Sequence, residues 1–409
     1  MGDTMNNEII KPTEQNPQGY GPKKPEILNL AKTTDLFDTQ ENAPDTQNDT
    51  TGGSNRIKNY RRIGNWENFF FDSAIYSVAQ SLGIEYKNGF TPISAITGDL
   101  FTYMYSDTLP CDSGITNYII MPEVVLNVFD SLGYGCEYLS REEINSDLPR
   151  ALKKIRASSD RGIPVLAWGV GGVVGSSGTR YDPMGEGALI GGYEDDILFI
   201  NLYPGAERLA ETSYGGRPGV DEDGYTAIPA ADALATTNGI FITLQQIKPT
   251  DPSVVYRNAI MSIPYWLTLK PIDGWIFGKA AFERWVEVLL NDENWQNPEM
   301  CSANMWDKHC CAFCSICTSV GCASPEGRAV DYLNEAREVC PEFEIVNELL
   351  PHYRKMRQLS QQIWDTHGGF EAPADKMVDH SYRAGLAGIL TEMGACCDKI
   401  LNVFICEDN

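Results

Sequence analysis

The hydrophobic pattern of this chain begins with a long polar segment. Residues 1–62 carry few apolar side chains and no sustained periodicity, as in the run Gln47–Ser54. Such a segment cannot bury enough apolar surface to offset the entropy lost on ordering. It is therefore predicted to be a disordered tail, and the first folded domain is predicted to begin at residue 63.

Helical and strand patterns follow one another between residues 63 and 248. Apolar residues at helical spacing that stop at a glycine predict helices, and short apolar runs that stop at glycine or acidic pairs predict strands. Helices followed by a small, mostly antiparallel sheet indicate an α+β domain. The predicted helices are Phe69–Leu82, one around Val124–Leu132, and Arg141–Ser158; the predicted strands are Ile163–Gly169, the two arms of a hairpin over Gly187–Pro204, and one around Ile240.

The pattern becomes entirely helical after Lys248–Pro252. In Lys279–Asn291 the apolar residues lie on one helical face, which is typical of a helix packed against a core. Residues 249–409 are therefore predicted to form a separate all-α domain. Its further predicted helices are 303–320, 326–339, 343–365 and 376–404.

Composition and charge restrict the class of protein. The chain has 409 residues, 43% of them hydrophobic, and a formal net charge of −24, which argues against nucleic acid as a partner. No apolar run approaches the roughly 20 residues that span a bilayer, and the polar start resembles no signal peptide. We expect a cytoplasmic protein that does not bind membranes. Its oligomeric state is not indicated by the sequence.

Twelve cysteines support a reducing compartment. They include the adjacent pairs Cys310–Cys311 and Cys396–Cys397 on helical patterns. Neighbouring residues on a helix point about 100° apart, so these pairs do not suit a framework of disulfides. Free thiols are predicted.

The cysteine-rich run that starts at His309 allows two interpretations. Cys311, Cys314 and Cys317 are spaced three residues apart. Thiolates at that spacing, together with His309, could ligate zinc or an iron–sulfur cluster. Cys310, Cys314 and Cys317 also form the buried stripe of an amphipathic helix, where free cysteine packs as a small apolar residue. Packing is preferred, so neither a metal nor another cofactor is predicted, and a metal or redox protein remains the alternative.

Three segments of the first domain carry a resemblance to a known family. They are the helix Asp72–Gly83, the strand Gly162–Trp168 and the hairpin Ala188–Asn201. Together, residues 63–248 resemble the papain-like N-terminal domain of the butirosin biosynthesis protein H family, and are similar in pattern to bacteriocin-processing cysteine peptidases. Gly278–Leu290 resembles the helical accessory domain of such proteins.

This resemblance implies acyl-transfer chemistry. In such proteins a thiolate at the start of the first helix is the nucleophile, a histidine on the hairpin is the base, and an Asn or Asp orients the histidine. Carried over by position, the nucleophile falls within Phe71–Ser73, with Ser73 as the candidate, and the base falls at Glu186 or Gly187. The orienting residue falls on Asn201. The candidate ligand-binding residues are Asp72, Trp168 and Tyr193.

The cysteine and the histidine of the family are absent at these positions, and all four histidines of the chain follow residue 300. Imidazole both accepts and returns a proton near neutral pH, and a carboxylate replaces it poorly. The sequence therefore predicts a degenerate papain-like protein that binds a small acyl, acyl-carrier or peptide-like ligand in natural-product-type metabolism. An active acyltransferase or amide hydrolase that uses noncognate residues is the alternative within the same fold.

Overall fold

The structure is a computed structural model that combines helices with a mostly antiparallel sheet, so the predicted α+β class is confirmed. Papain-like topology remains a prediction. The residues described are 53–63, 70–107, 121–170, 173–174, 180–181, 187–202, 220–235, 237–272, 274–296, 328–367 and 374–406.

Within these residues, seven strands form the main sheet, in the order β3-β10-β4-β7-β8-β9 with β1 paired to β7. Every pairing is antiparallel. Two smaller sheets pair β2 with β11 and β5 with β6. The strands are β1 (Ser54–Arg56), β2 (Met104–Tyr105), β3 (Tyr134–Ser140), β4 (Val165–Trp168), β5 (Val173–Val174), β6 (Arg180–Tyr181), β7 (Gly187–Glu194), β8 (Ile197–Asn201), β9 (Thr226–Pro229), β10 (Gly239–Gln246) and β11 (Ile276–Phe277).

The helices of the first half lie on both faces of the main sheet. They are α1 (Phe70–Ser81), α2 (Thr91–Thr97), α3 (Glu123–Ser131), α4 (Arg141–Ser146), α5 (Leu148–Asp160) and α6 (Ala230–Leu234). Leu166 and Leu189 pack with α1, whereas Val165 and Ile190 pack with α5 on the opposite face. This alternation follows from the period of two along a strand.

The helix predicted over Arg141–Ser158 is in fact two helices. Asp147 separates α4 from α5, and its side chain accepts a hydrogen bond of 3.0 Å from the backbone N–H of Arg150. Asp is a preferred N-cap residue because it satisfies such an N–H. Pro149, which lacks an N–H, is tolerated in this first turn. The apolar period runs through both helices, so it does not reveal the break.

Most described residues after residue 248 lie in helices, and the short strand β11 interrupts them. The helices are α7 (Pro252–Met261), α8 (Ile263–Leu267), α9 (Lys279–Leu290), α10 (Arg328–Val339), α11 (Ile345–His367) and α12 (His380–Cys406). The helix predicted over 303–320 lies outside the described residues.

These helices share their core with the first half. One continuous cluster of buried apolar side chains extends from Ile63 to Val403. Phe101, for example, lies edge-on to Tyr332 and Tyr353, with ring centroids 6.0 and 5.8 Å apart. The boundary predicted at residues 248 and 249 therefore does not separate two hydrophobic cores.

The segment before α1 is also part of the fold. Residues 53–63, called the strap below, contain β1 and run along β7 towards α1. Residues 53–62 therefore do not belong to a disordered tail, contrary to the boundary predicted at residue 62. The predicted tail over residues 1–52 lies outside the described residues.

Candidate functional site

The start of α1 lies directly on the start of β7. A Cβ added to Gly187 would lie 3.0 Å from the Cβ of Ala74 and 3.1 Å from the Cα of Phe71. Such spacing is tighter than ordinary van der Waals contact, so a residue without a side chain suits this position. The helix start and the hairpin are thus neighbours, as the resemblance implies.

Ser73 is completely buried at this junction. Its Oγ accepts a hydrogen bond of 2.8 Å from the Arg61 guanidinium, which also donates to Ser77 Oγ at 3.2 Å. Ser77 Oγ donates in turn to the backbone oxygen of Ser73 at 3.0 Å. The candidate nucleophile is therefore held by a cation from the strap.

Asn201 is completely buried as well. It pairs with Leu189 across the hairpin, which places both side chains on the α1 face of the sheet. Its Oδ1 accepts from the backbone N–H of Ile63 at 3.1 Å, and its Nδ2 donates to the backbone oxygen of Gly224 at 3.2 Å. Both ends of the amide therefore bind main chain.

Ser73 and Asn201 meet the same segment of chain. Arg61 binds the first and Ile63 binds the second, so the end of the strap lies at the junction of α1, β7 and β8. Sequence reasoning missed Arg61, since it lies at the end of an aperiodic polar stretch. The one available signal was the basic pair Arg61–Arg62 just before the first helix.

Asp72 lies at the contact between α1 and α2, not with Ser73 and Asn201 at the strap. It is fully buried, and its Oδ2 accepts a hydrogen bond of 3.4 Å from Thr97 Oγ1. Thr97 is the last residue of α2, so this carboxylate faces the α1–α2 interface.

Trp168 lies on the α1 face, where it pairs with Gly187 across β4 and β7. Its backbone oxygen accepts from Asn238 N at 2.9 Å. Its indole Nε1 is buried, and among the described residues it has no hydrogen-bond partner. A buried donor without a partner costs about 1–3 kcal/mol, so this N–H is available to an acceptor such as a carbonyl oxygen.

Tyr193 lies on the opposite face of the sheet. Its hydroxyl donates to Asp160 at 3.0 Å, and the Arg156 guanidinium lies 5.3 Å from the ring centroid. Desolvation, with the hydrogen bond to Asp160, raises the pKa of Tyr193. Both partners belong to α5, so Tyr193 does not face Ser73 or Asn201.

The remaining candidates, which are Glu186, His309, Cys311, Cys314 and Cys317, lie outside the described residues. Within the part of the chain that is described, no three His, Cys, Asp or Glu side chains are grouped so that they could hold a metal ion. In the same part, every helix is too short or too polar to cross a membrane. No protein-family model matches this chain, and no curated protein matches its sequence.

Proposed function

We propose that this protein is a non-catalytic member of the papain-like acyltransferase and peptidase fold that binds a small acyl or peptide-like ligand, in natural-product-type metabolism. One observation carries the proposal. The side chains at the nucleophile and orienting positions, Ser73 and Asn201, are fully buried and hydrogen-bonded to the strap.

The chemistry of these contacts favours binding over turnover. A serine nucleophile needs an adjacent group that accepts its proton. One partner of the Ser73 hydroxyl is the Arg61 guanidinium, which remains protonated in proteins and therefore cannot take the proton of a nucleophile. The amide of Asn201 is bound to main chain at both ends, by Ile63 N–H at Oδ1 and by Gly224 O at Nδ2, which suits a structural role.

Trp168 supports an acyl or peptide carbonyl as the recognised group. Its Nε1 lies on the same face of the sheet as Asn201, and a carbonyl oxygen satisfies such a donor. Ligand binding at this face is expected to place the carbonyl next to the indole.

Hydrolysis assays test the absence of turnover. With p-nitrophenyl acetate and an N-acetylcysteamine acyl thioester, we expect no rate above that of the protein-free buffer. Ser73→Ala and Ser77→Ala form a matched pair, because each removes one hydrogen bond to Arg61 and only Ser73 is at the nucleophile position. Both should lower stability by roughly 1.5–3 kcal/mol, since hydrogen bonds to charged groups fall in that range. Turnover that Ser73→Ala abolishes and Ser77→Ala retains would refute the proposal.

Thermal stabilisation tests binding. An acyl-pantetheine thioester at 100 times its Kd should stabilise the protein by about 2.7 kcal/mol. Trp168→Phe removes the indole N–H and should weaken binding about tenfold, as expected for one lost hydrogen bond of about 1.4 kcal/mol. Tyr193→Phe, on the other face of the sheet, is the control and should leave the affinity unchanged. The absence of stabilisation by both the thioester and a short peptide would contradict ligand binding.

A further inference from the structure

The strap lies on β7 as an added strand. Ser54 to Arg56 pair with Glu194 to Gly192, and the N–H of Ile57 donates to the backbone oxygen of Gly191 at 2.8 Å. β4 pairs only with the first half of β7, up to Ile190, so the strap occupies the length of edge that β4 leaves open. Main-chain pairing at a sheet edge is a common way in which proteins bind extended peptides.

Two glycines of β7 make this approach possible. A Cβ on Gly192 would lie 2.5 Å from the backbone oxygen of Asn55 and 2.9 Å from the Cα of Arg56. A Cβ on Gly191 would overlap the hydroxyl of Tyr225, which donates to the backbone oxygen of Ile57 at 2.9 Å. The close contact between strap and sheet therefore depends on residues without side chains.

The side chains on either side of this contact are complementary in charge. The strap carries Arg56, Lys58, Arg61 and Arg62. Arg56 and Arg62 reach the acidic turn 221–223, whereas Arg61 binds Ser73 and Ser77 of α1. The Arg56 guanidinium lies 2.7 Å from Asp221 Oδ2 and 3.8 Å from the ring centroid of Phe199.

Two further contacts extend the same surface. The ring of Tyr60 stacks on Tyr225, with centroids 4.8 Å apart and an interplanar angle of 17°. Arg62 donates to the backbone oxygen of Glu222 at 2.6 Å. An extended chain with basic and aromatic side chains fits this surface through both its backbone and its side chains.

We propose that this groove, formed by the edge of β7, Phe199, Tyr225 and the acidic turn, is a binding surface for an extended basic peptide, and that the strap fills it in cis as an exchangeable occupant. The inference rests on the proposed function, because the end of the strap lies at Ser73 and Asn201. Beyond the proposed function, the inference names a basic peptide as the class of ligand and the strap as the segment that controls its binding. A tethered occupant competes at an effective concentration in the millimolar range, so access for a second peptide depends on release of the strap.

Release of the strap in the full-length protein tests the inference. Arg56→Ala with Tyr60→Ala removes the ion pair of Arg56 with Asp221, its cation–π contact with Phe199 and the stacking of Tyr60 on Tyr225, and it leaves the residues of the groove unchanged. The probe is a fluorescently labelled synthetic peptide with the sequence of residues 53–63, and binding is followed by anisotropy. The apparent Kd equals the intrinsic Kd divided by the open fraction. Loss of a cation–π contact and an ion pair should raise the open fraction, and hence the affinity for the peptide, at least about tenfold over the wild type. Hydrogen exchange should show the amides of residues 54–57 less protected in the variant, with those of β8 unchanged.

Two controls make the result specific. Gly192→Ala in the double variant should abolish peptide binding, because the added Cβ blocks the backbone of the peptide. A peptide in which alanine replaces all four basic residues should bind at least about tenfold more weakly. If the double variant does not fold, Arg56→Ala alone is used with the same readouts.

Three results would overturn the inference. The peptide would bind equally to wild type and variant, or it would still bind after Gly192→Ala, or it would fail to bind although the amides of the strap exchange. The readout is separate from the thioester assays. A protein that binds the thioester but never the peptide loses only this inference, and a protein that binds the peptide but hydrolyses the thioester loses only the assignment as non-catalytic.

Discussion

Gly98 offers a direct test of the shared core, because it lies in the first half of the chain and packs against Trp266 of the second half. It follows α2 with φ 87° and ψ −5°, the left-handed region that favours glycine. A Cβ at this position would overlap the indole ring of Trp266 in α8. Trp266 is 3% exposed, and its Nε1 donates to Ser262 Oγ at 2.8 Å, so the ring cannot move away without losing that bond.

Gly98→Ala therefore has two costs. The left-handed backbone costs about 1–2 kcal/mol for a residue with a side chain. Forcing an extra carbon into a packed core adds about 1–3 kcal/mol. Together we expect a loss of roughly 2–5 kcal/mol in the free energy of unfolding.

Gly83→Ala is the matched control. Gly83 has a similar φ of 80°, but an added Cβ would have no atom within 4 Å. This variant should lose only the backbone contribution of about 1–2 kcal/mol. The difference between the two variants then measures the contact with Trp266.

Chemical denaturation of both variants, and of each in a Trp266→Leu background, provides the measurement. Removing the indole should bring the cost of Gly98→Ala down to that of Gly83→Ala, with a coupling energy of about 1–3 kcal/mol. Equal costs for the two glycine variants in the wild-type background would refute the packing of α8 against α2. An unfolding curve with two transitions, of which Gly98→Ala shifts only one, would refute the single core.

Three further predictions concern the strap, an ion pair and the thiols. A chain that starts at residue 53 should keep the melting temperature of the full protein. A chain that starts at residue 64 should lose several degrees, because the pairing with β7, the contacts of Arg56 and the hydrogen bonds of Arg61 all disappear. Equal melting temperatures would contradict the role of the strap. Hydrogen bonds from Arg383 and His380 hold the pKa of Asp292 below its ordinary value of 3.8. The ionised Asp292 therefore stabilises the folded protein fully above pH 3.8, and this contribution declines as the pH falls through the lowered pKa. The melting-temperature difference between wild type and Asp292→Asn should shrink over that range, and a difference that is constant down to pH 2 would disagree. Burial raises the pKa of Cys397 well above its ordinary value, so its thiol should react with a thiol reagent only after denaturation.

The positions of most helices and strands could be predicted because their signal is local. The apolar period of 3.6 was sufficient for α1, α3 and α9, and the short apolar runs that stop at glycine or at an acidic pair were sufficient for the β7–β8 hairpin, because both signals lie within a few neighbouring residues. The break at Asp147 was missed because the apolar period continues through it.

The candidate site was predicted less well, since its contacts join distant parts of the sequence. The strap carries no periodic pattern, because it is held by main-chain pairing and by cationic side chains that meet partners such as Asp221 and Ser73. The linear sequence does not show that Tyr193 contacts α5 or that Asp72 contacts α2, because the neighbours of a side chain depend on which elements pack together.

The sequence by itself thus determined the α+β class, the hairpin and the amphipathic helices, because hydrophobic periodicity is set by residues a few positions apart. Only the tertiary structure decided that one core spans both halves, and that the chain before α1 lies against the buried Ser73 and Asn201. Those features depend on shape and charge complementarity between different elements, some of them far apart in sequence, such as Arg56 and Asp221, and no local pattern encodes them.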